Sequence, residues 1–161
     1  LTPVKEAMMS ETIEAKVTHR FRASPERVFD AFVDPALMAR WQLAWFRRSG
    51  DAQGSGRTEI EPRVGGRFLL ANGRAVPHWG TFLALDRPTR IAFSWENEGQ
   101  EPSLVSFIIE PEPNGPGCVV TLYNTLDAQL EDGVPDVERE WMAMLGGIED
   151  VIERRDIPAL S

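Results

Sequence analysis

Apolar residues follow two rhythms along this chain, and each rhythm predicts a different element. From Thr12 to Phe21 they alternate, with Ile13, Ala15, Val17, His19 and Phe21 on one side and Glu14, Lys16, Thr18 and Arg20 on the other. Successive side chains of a strand point to opposite faces, so this stretch reads as a half-buried strand. Between Val137 and Arg155 the step lengthens to three or four residues. Val137, Trp141, Met144, Leu145, Ile148, Val151 and Ile152 form one broad apolar stripe, while Glu138, Arg139, Asp150, Glu153 and Arg154 fall away from it. That spacing predicts a long amphipathic helix, opened by Pro135-Asp136 and closed by Pro158. A helix with so heavy a stripe needs a large apolar surface to lie on, and the chain upstream is expected to supply it as a sheet.

The remaining elements follow from start, stop and turn signals. Ser24-Pro25-Glu26-Arg27 opens a helix, with Ser24 as N-cap and Pro25 in the first turn. Its apolar residues Val28, Phe29, Ala31 and Phe32 run to the Asp34-Pro35 break. A second short helix from Pro35 to about Gln42 carries Leu37, Met38 and Trp41. Ser49 to Gly56 is polar and glycine-rich and reads as a surface loop. Beyond it, Gly65-Gly66, Asn72-Gly73, Asn97 to Gln100 and Asn114-Gly115-Pro116-Gly117 are turns, and Arg87-Pro88 breaks one more connection. They separate strands near Arg57 to Pro62, Arg67 to Ala71, Val76 to Leu85, Arg90 to Glu96, Ser103 to Pro111 and Cys118 to Leu126. Alternation is clearest in Ile91, Phe93, Trp95 and in Val105, Phe107, Ile109. The strand from Trp79 to Leu85 is apolar on both faces, so its inward set stays open. The order is strand, two helices, a meander of strands, long helix, which is an α+β plan with the helices on one side. Gly146-Gly147 interrupts the last helix. Each glycine costs roughly 1 kcal/mol there relative to alanine. They read first as a tolerated weakness or slight kink, with close approach of a strand, partner or ligand as the alternative.

Composition narrows the function classes. With 161 residues the chain is expected to form one domain, over residues 12–155, behind a poorly ordered N-terminal extension, residues 1–11. A formal charge of −8 argues against binding a phosphate backbone or an anionic lipid surface. Cys118 is the only cysteine, so no intrachain disulfide can form, in keeping with a reducing cytoplasm. No apolar run reaches membrane-spanning length, and no signal-peptide core is visible near the start.

Four segments carry a family resemblance: Ser24-Pro25-Glu26-Arg27-Val28-Phe29-Asp30-Ala31-Phe32; Asp34-Pro35 leading to Ala39-Arg40-Trp41; Val64-Gly65-Gly66-Arg67-Phe68; and Asp86-Arg87-Pro88-Thr89-Arg90-Ile91-Ala92-Phe93-Ser94-Trp95. In this order they resemble the family named for the activator of heat-shock-protein-90 ATPase, within the START/SRPBCC (birch-pollen-allergen-like) superfamily. The resemblance runs from about Thr12 to Glu153. It implies a helix-grip fold, a curved antiparallel sheet of about seven strands wrapped around a long C-terminal helix, with two short helices after the first strand. The superfamily contains lipid carriers, hydrophobic-ligand binders, aromatase and cyclase enzymes and chaperone cofactors, so the fold alone leaves the function open. Family members often carry a histidine on the last strand, where this chain has Asn124, and a glycine before the helix tryptophan, where it has Glu140.

Catalytic chemistry finds little footing. A Ser-His or Cys-His pair needs a base within hydrogen-bond reach, and the two histidines, His19 and His78, sit in no nucleophile motif. With one cysteine and no ligand spacing, a structural zinc site is not expected, and no glycine-rich phosphate loop opens a helix. Cys118 reads as a small buried hydrophobe. No cofactor or metal is expected.

The aromatic residues are the stronger lead. Trp41, Phe68, Trp79, Phe93, Trp95, Phe107 and Trp141 come from separate elements that the helix-grip plan brings around one interior. They either fill the core or line an apolar pocket oriented by a few polar groups, for which Asn124, His78, Arg67 and Glu59 are candidates. The expected ligand-binding set is Trp41, Phe68, His78, Trp79, Trp95, Phe107, Asn124 and Trp141, with the Ser49–Gly56 loop as a possible gate. The favoured function is binding a small hydrophobic or amphipathic molecule without transforming it. The alternatives are a cyclase, dehydratase or hydrolase using the same cavity, and a chaperone-associated interaction module. A homodimer is plausible on base rates.

Overall fold

The computed structural model describes residues 11–48, 56–72 and 77–153, and within them the two rhythms become two layers. The strands are β1 (Thr12–Phe21), β2 (Gly56–Ile60), β3 (Arg67–Asn72), β4 (His78–Asp86), β5 (Arg90–Asn97), β6 (Ser103–Pro111) and β7 (Cys118–Asp127). They form one seven-stranded sheet in the order β1-β7-β6-β5-β4-β3-β2. Every neighbouring pair is antiparallel. The first strand thus returns to pair with the last, from Thr12 opposite Asp127 to Phe21 opposite Cys118. A register shift between Phe82 and Ala84 in β4 breaks the ladder, and such bulges bend and twist a sheet.

Between β1 and β2 lie α1 (Pro25–Val33) and α2 (Pro35–Arg48). Ser24 Oγ accepts from the Arg27 amide at 3.2 Å and caps α1, whose Val28, Phe29, Ala31 and Phe32 are buried. Asp34 both ends α1 and starts α2, because its carboxylate accepts from the amides of Ala36 and Leu37 at 2.8 and 3.0 Å. The second helix continues past Gln42, its expected end. Gln42 is polar but fully buried: its Nε2 donates to the Ala71 carbonyl at 2.9 Å, and its Oε1 accepts from Thr58 Oγ1. Trp45, four residues after Trp41 on the same stripe, is buried as well, so the inward face of α2 runs past the expected end.

A 3-10 turn (Ala128–Gly133) leads into α3 (Val134–Glu153), which starts a few residues before the expected Val137. Trp141, Met144, Leu145, Ile148 and Ile152 are buried along the predicted stripe, with Val137 and Val151 partly so. The middle of α3 is a close approach. A Cβ on Gly147 would lie 2.8 Å from the Trp45 amide nitrogen and 3.1 Å from the Trp41 carbonyl oxygen. Gly147 is therefore where the backbone of α2 rests on α3, and the neighbour is a helix rather than a strand or ligand.

Acidic residues of α3 reach the free edge of β1 at Lys16 and the chain just past its end. Glu138 accepts from the Lys16 amide at 3.0 Å, and Glu153 from the amides of Arg22 and Ala23 at 2.7 and 3.0 Å. His19 Nε2 lies 2.6 Å from Glu149 Oε1. An edge amide satisfied this way, as at Lys16, is a poor template for pairing with another chain. The expected Ser49–Gly56 gate, the Asn72-Gly73 turn, the start of a strand at Val76, the N-terminal extension and the helix end at Arg155 and Pro158 fall, apart from Glu11, Gly56 and Asn72, outside the described residues.

Candidate functional site

The helices close over the inner face of the sheet and leave a small apolar cavity. Among the described residues its wall is Phe32 from α1, Met38 and Trp41 from α2, Phe68 and Leu70 from β3, Phe82 from β4, Ile91, Phe93 and Trp95 from β5, Phe107 from β6 and Met144 from α3. Local sequence puts them there. Phe68 and Leu70, then Ile91, Phe93 and Trp95, are alternate residues of their strands and share a face. Met38 and Trp41 are three apart on α2, hence on one stripe. Gly80 pairs with Phe68, and a Cβ at Gly80 would run into the Phe68 ring and the Ser94 carbonyl. The missing side chain is what lets Phe68 fold down over β4.

Two volumes describe the cavity, and they differ widely. All space free of atoms, open solvent included, amounts to about 340 Å³, whereas only about 20 Å³ is open to the centre of a water-sized sphere. The second figure decides what fits in this conformation. One water needs roughly 10–15 Å³ by that measure, and an apolar cavity that holds benzene is roughly 150 Å³. The interior is thus nearly filled, with room for a water or two rather than a ring.

Four of the predicted site residues, Trp41, Phe68, Trp95 and Phe107, lie on this wall, and the other four lie off it. Trp141 packs behind the wall, with ring centroids 5.0 Å from Trp95 and 6.2 Å from Trp45. Its Nε1 donates to Asn124 Oδ1 at 3.0 Å. Asn124 Nδ2 donates in turn to Ser103 Oγ at 3.0 Å and to the Leu104 carbonyl at 3.1 Å. This buried amide is engaged through both its oxygen and its nitrogen, which makes it a clamp between β6, β7 and α3. His78 stacks flat on Trp95, 4.5 Å between centroids at 13°, and its Nε2 lies 3.2 Å from Asn97 Nδ2. Trp79 is opposite Leu69 and Glu96 in the ladders; because β4 alternates through His78, Gly80 and Phe82 on the inside, Trp79 lies on the outer face. The lesser candidates Arg67 and Glu59 are exposed. Sequence reasoning missed Phe32, Met38, Leu70, Phe82, Ile91 and Met144 as wall residues. The burial of Phe32, Met38, Ile91 and Met144 was legible and that of Leu70 and Phe82 was not, and which buried residues border a void depends on rotamers.

No ionisable side chain stands among the described wall residues. The ion pairs lie elsewhere. Asp30 receives two hydrogen bonds from Arg87, Nε at 2.8 Å and Nη2 at 3.0 Å, which hold its carboxyl below the usual carboxylate range. Burial, reinforced by Glu153, Glu112 and Glu26, pushes the Cys118 thiol up to about 11, the reverse of an activated nucleophile. The described residues contain no cluster of His, Cys, Asp and Glu suited to a metal ion, and no helix long and apolar enough to cross a membrane.

A curved antiparallel sheet gripping a long C-terminal helix, with two helices inserted after the first strand, defines a helix-grip protein. The model of the family described as "Activator of Hsp90 ATPase homolog 1-like protein" matches residues 22–154, and the chain belongs to that family. No curated protein sequence matches it. Among solved structures it is similar to CalU16 from Micromonospora echinospora, at 23% identity over 89% of this chain and 76% of that one, with a TM-score of 0.67. Protein MLL2253 from Mesorhizobium loti is 18% identical over 91% of this chain and 99% of its own, with a TM-score of 0.70. DynU16, a protein in the dynemicin biosynthetic locus, is 15% identical over 88% of this chain but 47% of its own, with a TM-score of 0.71. At these identities the likeness is one of fold.

Proposed function

We propose that this protein binds a small hydrophobic or amphipathic molecule between its sheet and its helices, without transforming it. The observation that carries this reading is the continuous apolar wall, to which three helices and four strands contribute and in which no described side chain is charged. Proteins of this fold commonly bind hydrophobic ligands. The absence of an ionisable pair from the described wall favours binding over acid–base catalysis, which needs a titratable group within reach of the reacting atoms.

A second reading, an interaction module of the kind the family name describes, draws support from the near-filled interior. Among the described residues the large exposed apolar side chains are Val64, Leu83, Leu104, Leu130 and Met142, from five segments of the chain, of which the first two are brought near each other by the backbone hydrogen bonds of Gly65 and Gly66 with Phe82. Single exposed apolar residues are ordinary, whereas partner sites are usually contiguous patches.

Native mass spectrometry of gently purified protein, compared with its denatured mass, separates the two. The binding reading predicts a small non-covalent adduct, or one that forms when apolar compounds are added. A bare mass under both conditions, together with a retained protein partner, would favour the interaction module.

A further inference from the structure

We infer that the cavity selects neutral molecules of about one ring in size, and that Met38 and Met144 are the side chains that move to admit them. This rests on the cavity being the binding site, and it narrows the amphipathic alternative. Three described polar groups around the wall, on Trp41, Asn124 and Gln42, already have partners, and no described wall residue is charged. Trp41 Nε1 donates to the Ala31 carbonyl at 2.8 Å. Asn124 is engaged through its oxygen and its nitrogen by Trp141, Ser103 and Leu104. Gln42 is engaged likewise by Ala71 and Thr58. A hydroxyl or carboxylate carried into the cavity would lose its water and find no partner among these groups. For a neutral hydroxyl that penalty corresponds to roughly tenfold weaker binding or more, and for a charge to far more.

Size follows from the same wall. The room of about 20 Å³ is smaller than any ring, so a ligand must displace something. Nine of the eleven wall residues are aromatic or branched, and Trp41 is pinned by its hydrogen bond. Met38 and Met144, both buried, are the two unbranched exceptions. An unbranched thioether with three rotatable bonds repacks at little cost, whereas the rigid rings around it do not. Two methionines shifting in place make room for about one ring, not for a long acyl chain.

The test is calorimetric titration of the intact protein with toluene, phenol, benzoate and dodecanoate. Saturable toluene binding is expected, with phenol weaker by roughly tenfold or more and no binding of benzoate or dodecanoate at concentrations that saturate toluene. Met38→Ile and Met144→Ile keep the side chain apolar but stiffen it at χ1. Each is expected to weaken toluene binding at least tenfold in a protein that still melts cooperatively. Benzoate or dodecanoate binding as well as toluene and displacing it would overturn the neutral selectivity while leaving the binding site intact. Undiminished toluene affinity in both variants would overturn the role of the methionines. If no probe binds at all, the cavity reading itself fails with the inference.

Discussion

Replacing Gly147 with alanine sets two effects of opposite sign against each other. Helix propensity alone favours the change by about 1 kcal/mol in a helix interior. Sterics oppose it: the new Cβ would meet the Trp45 amide nitrogen at 2.8 Å, and the Trp41 carbonyl oxygen and Trp45 Cα at 3.1 Å each. All three are backbone atoms of α2, so no side chain can rotate out of the way and the helix itself must retreat. Trp41 and Trp45 would retreat with it, loosening their packing on Phe32, Trp95 and Trp141. Overpacking a close-fitted interior costs about 1–3 kcal/mol, and an obstacle made of backbone belongs in the upper part of that range. Subtracting the propensity gain leaves a net loss of about 1–2 kcal/mol, which for a domain of this size lowers Tm by roughly 2–8 °C. Thermal unfolding followed by circular dichroism measures it. Gly133→Ala is the control, because a Cβ there meets nothing within 4 Å, and its Tm should hold or rise slightly. A Gly147→Ala protein melting at or above the wild-type temperature would show that propensity decides and that the close approach of α2 is not what requires the glycine.

Asn124→Leu should cost about 1–3 kcal/mol in urea unfolding, because it strands the buried Trp141 N–H and removes the donors to Ser103 and Leu104; a variant within about 0.5 kcal/mol of wild type would contradict the clamp. The Asp30–Arg87 pair lowers the folded-state pKa of Asp30, so its contribution is whole above the unfolded value near pH 4 and is lost as pH falls through the lowered one. Asp30→Asn should therefore unfold with a shallower dependence on pH below about 4, a small effect since the pair is partly exposed, and an unchanged acid slope would count against it. The single thiol of Cys118 should resist alkylation at pH ~8 in the native protein and react once the chain is unfolded, since it is buried with a pKa raised to about 11 against a free value near 8.5; rapid labelling without unfolding would contradict that placement.

Periodicity revealed more of the fold than of the site. The alternation of β1 and the stripe of α3 were plain because each element buries one face, and burial writes its period into the chain. α2 is longer than the expected Pro35 to about Gln42, because Trp45 continues the stripe of Met38 and Trp41 and Gln42 itself is satisfied inside by Thr58 and the Ala71 carbonyl. β4 was ambiguous because Trp79 is apolar yet lies on the outer face. Gly147 could be recognised as unusual, but its reason lies about a hundred residues away in α2. Asn124 and Trp141 were singled out as pocket residues from their types. That each satisfies the other, 17 residues apart in sequence, follows only from how β7 and α3 cross. The size of the void was not legible at all, since it depends on how eleven side chains interlock.

The claim that matters most is that apolar molecules enter the interior rather than adhere to the surface. Methionine methyl resonances of isotope-labelled protein test it directly, because Met38 and Met144 line the cavity while Met142, two residues from Met144 on the same helix, is exposed. On adding toluene, the Met38 and Met144 methyls should shift saturably and together while Met142 stays in place. Shifts confined to Met142, or none at concentrations that saturate any binding seen by calorimetry, would contradict an interior site.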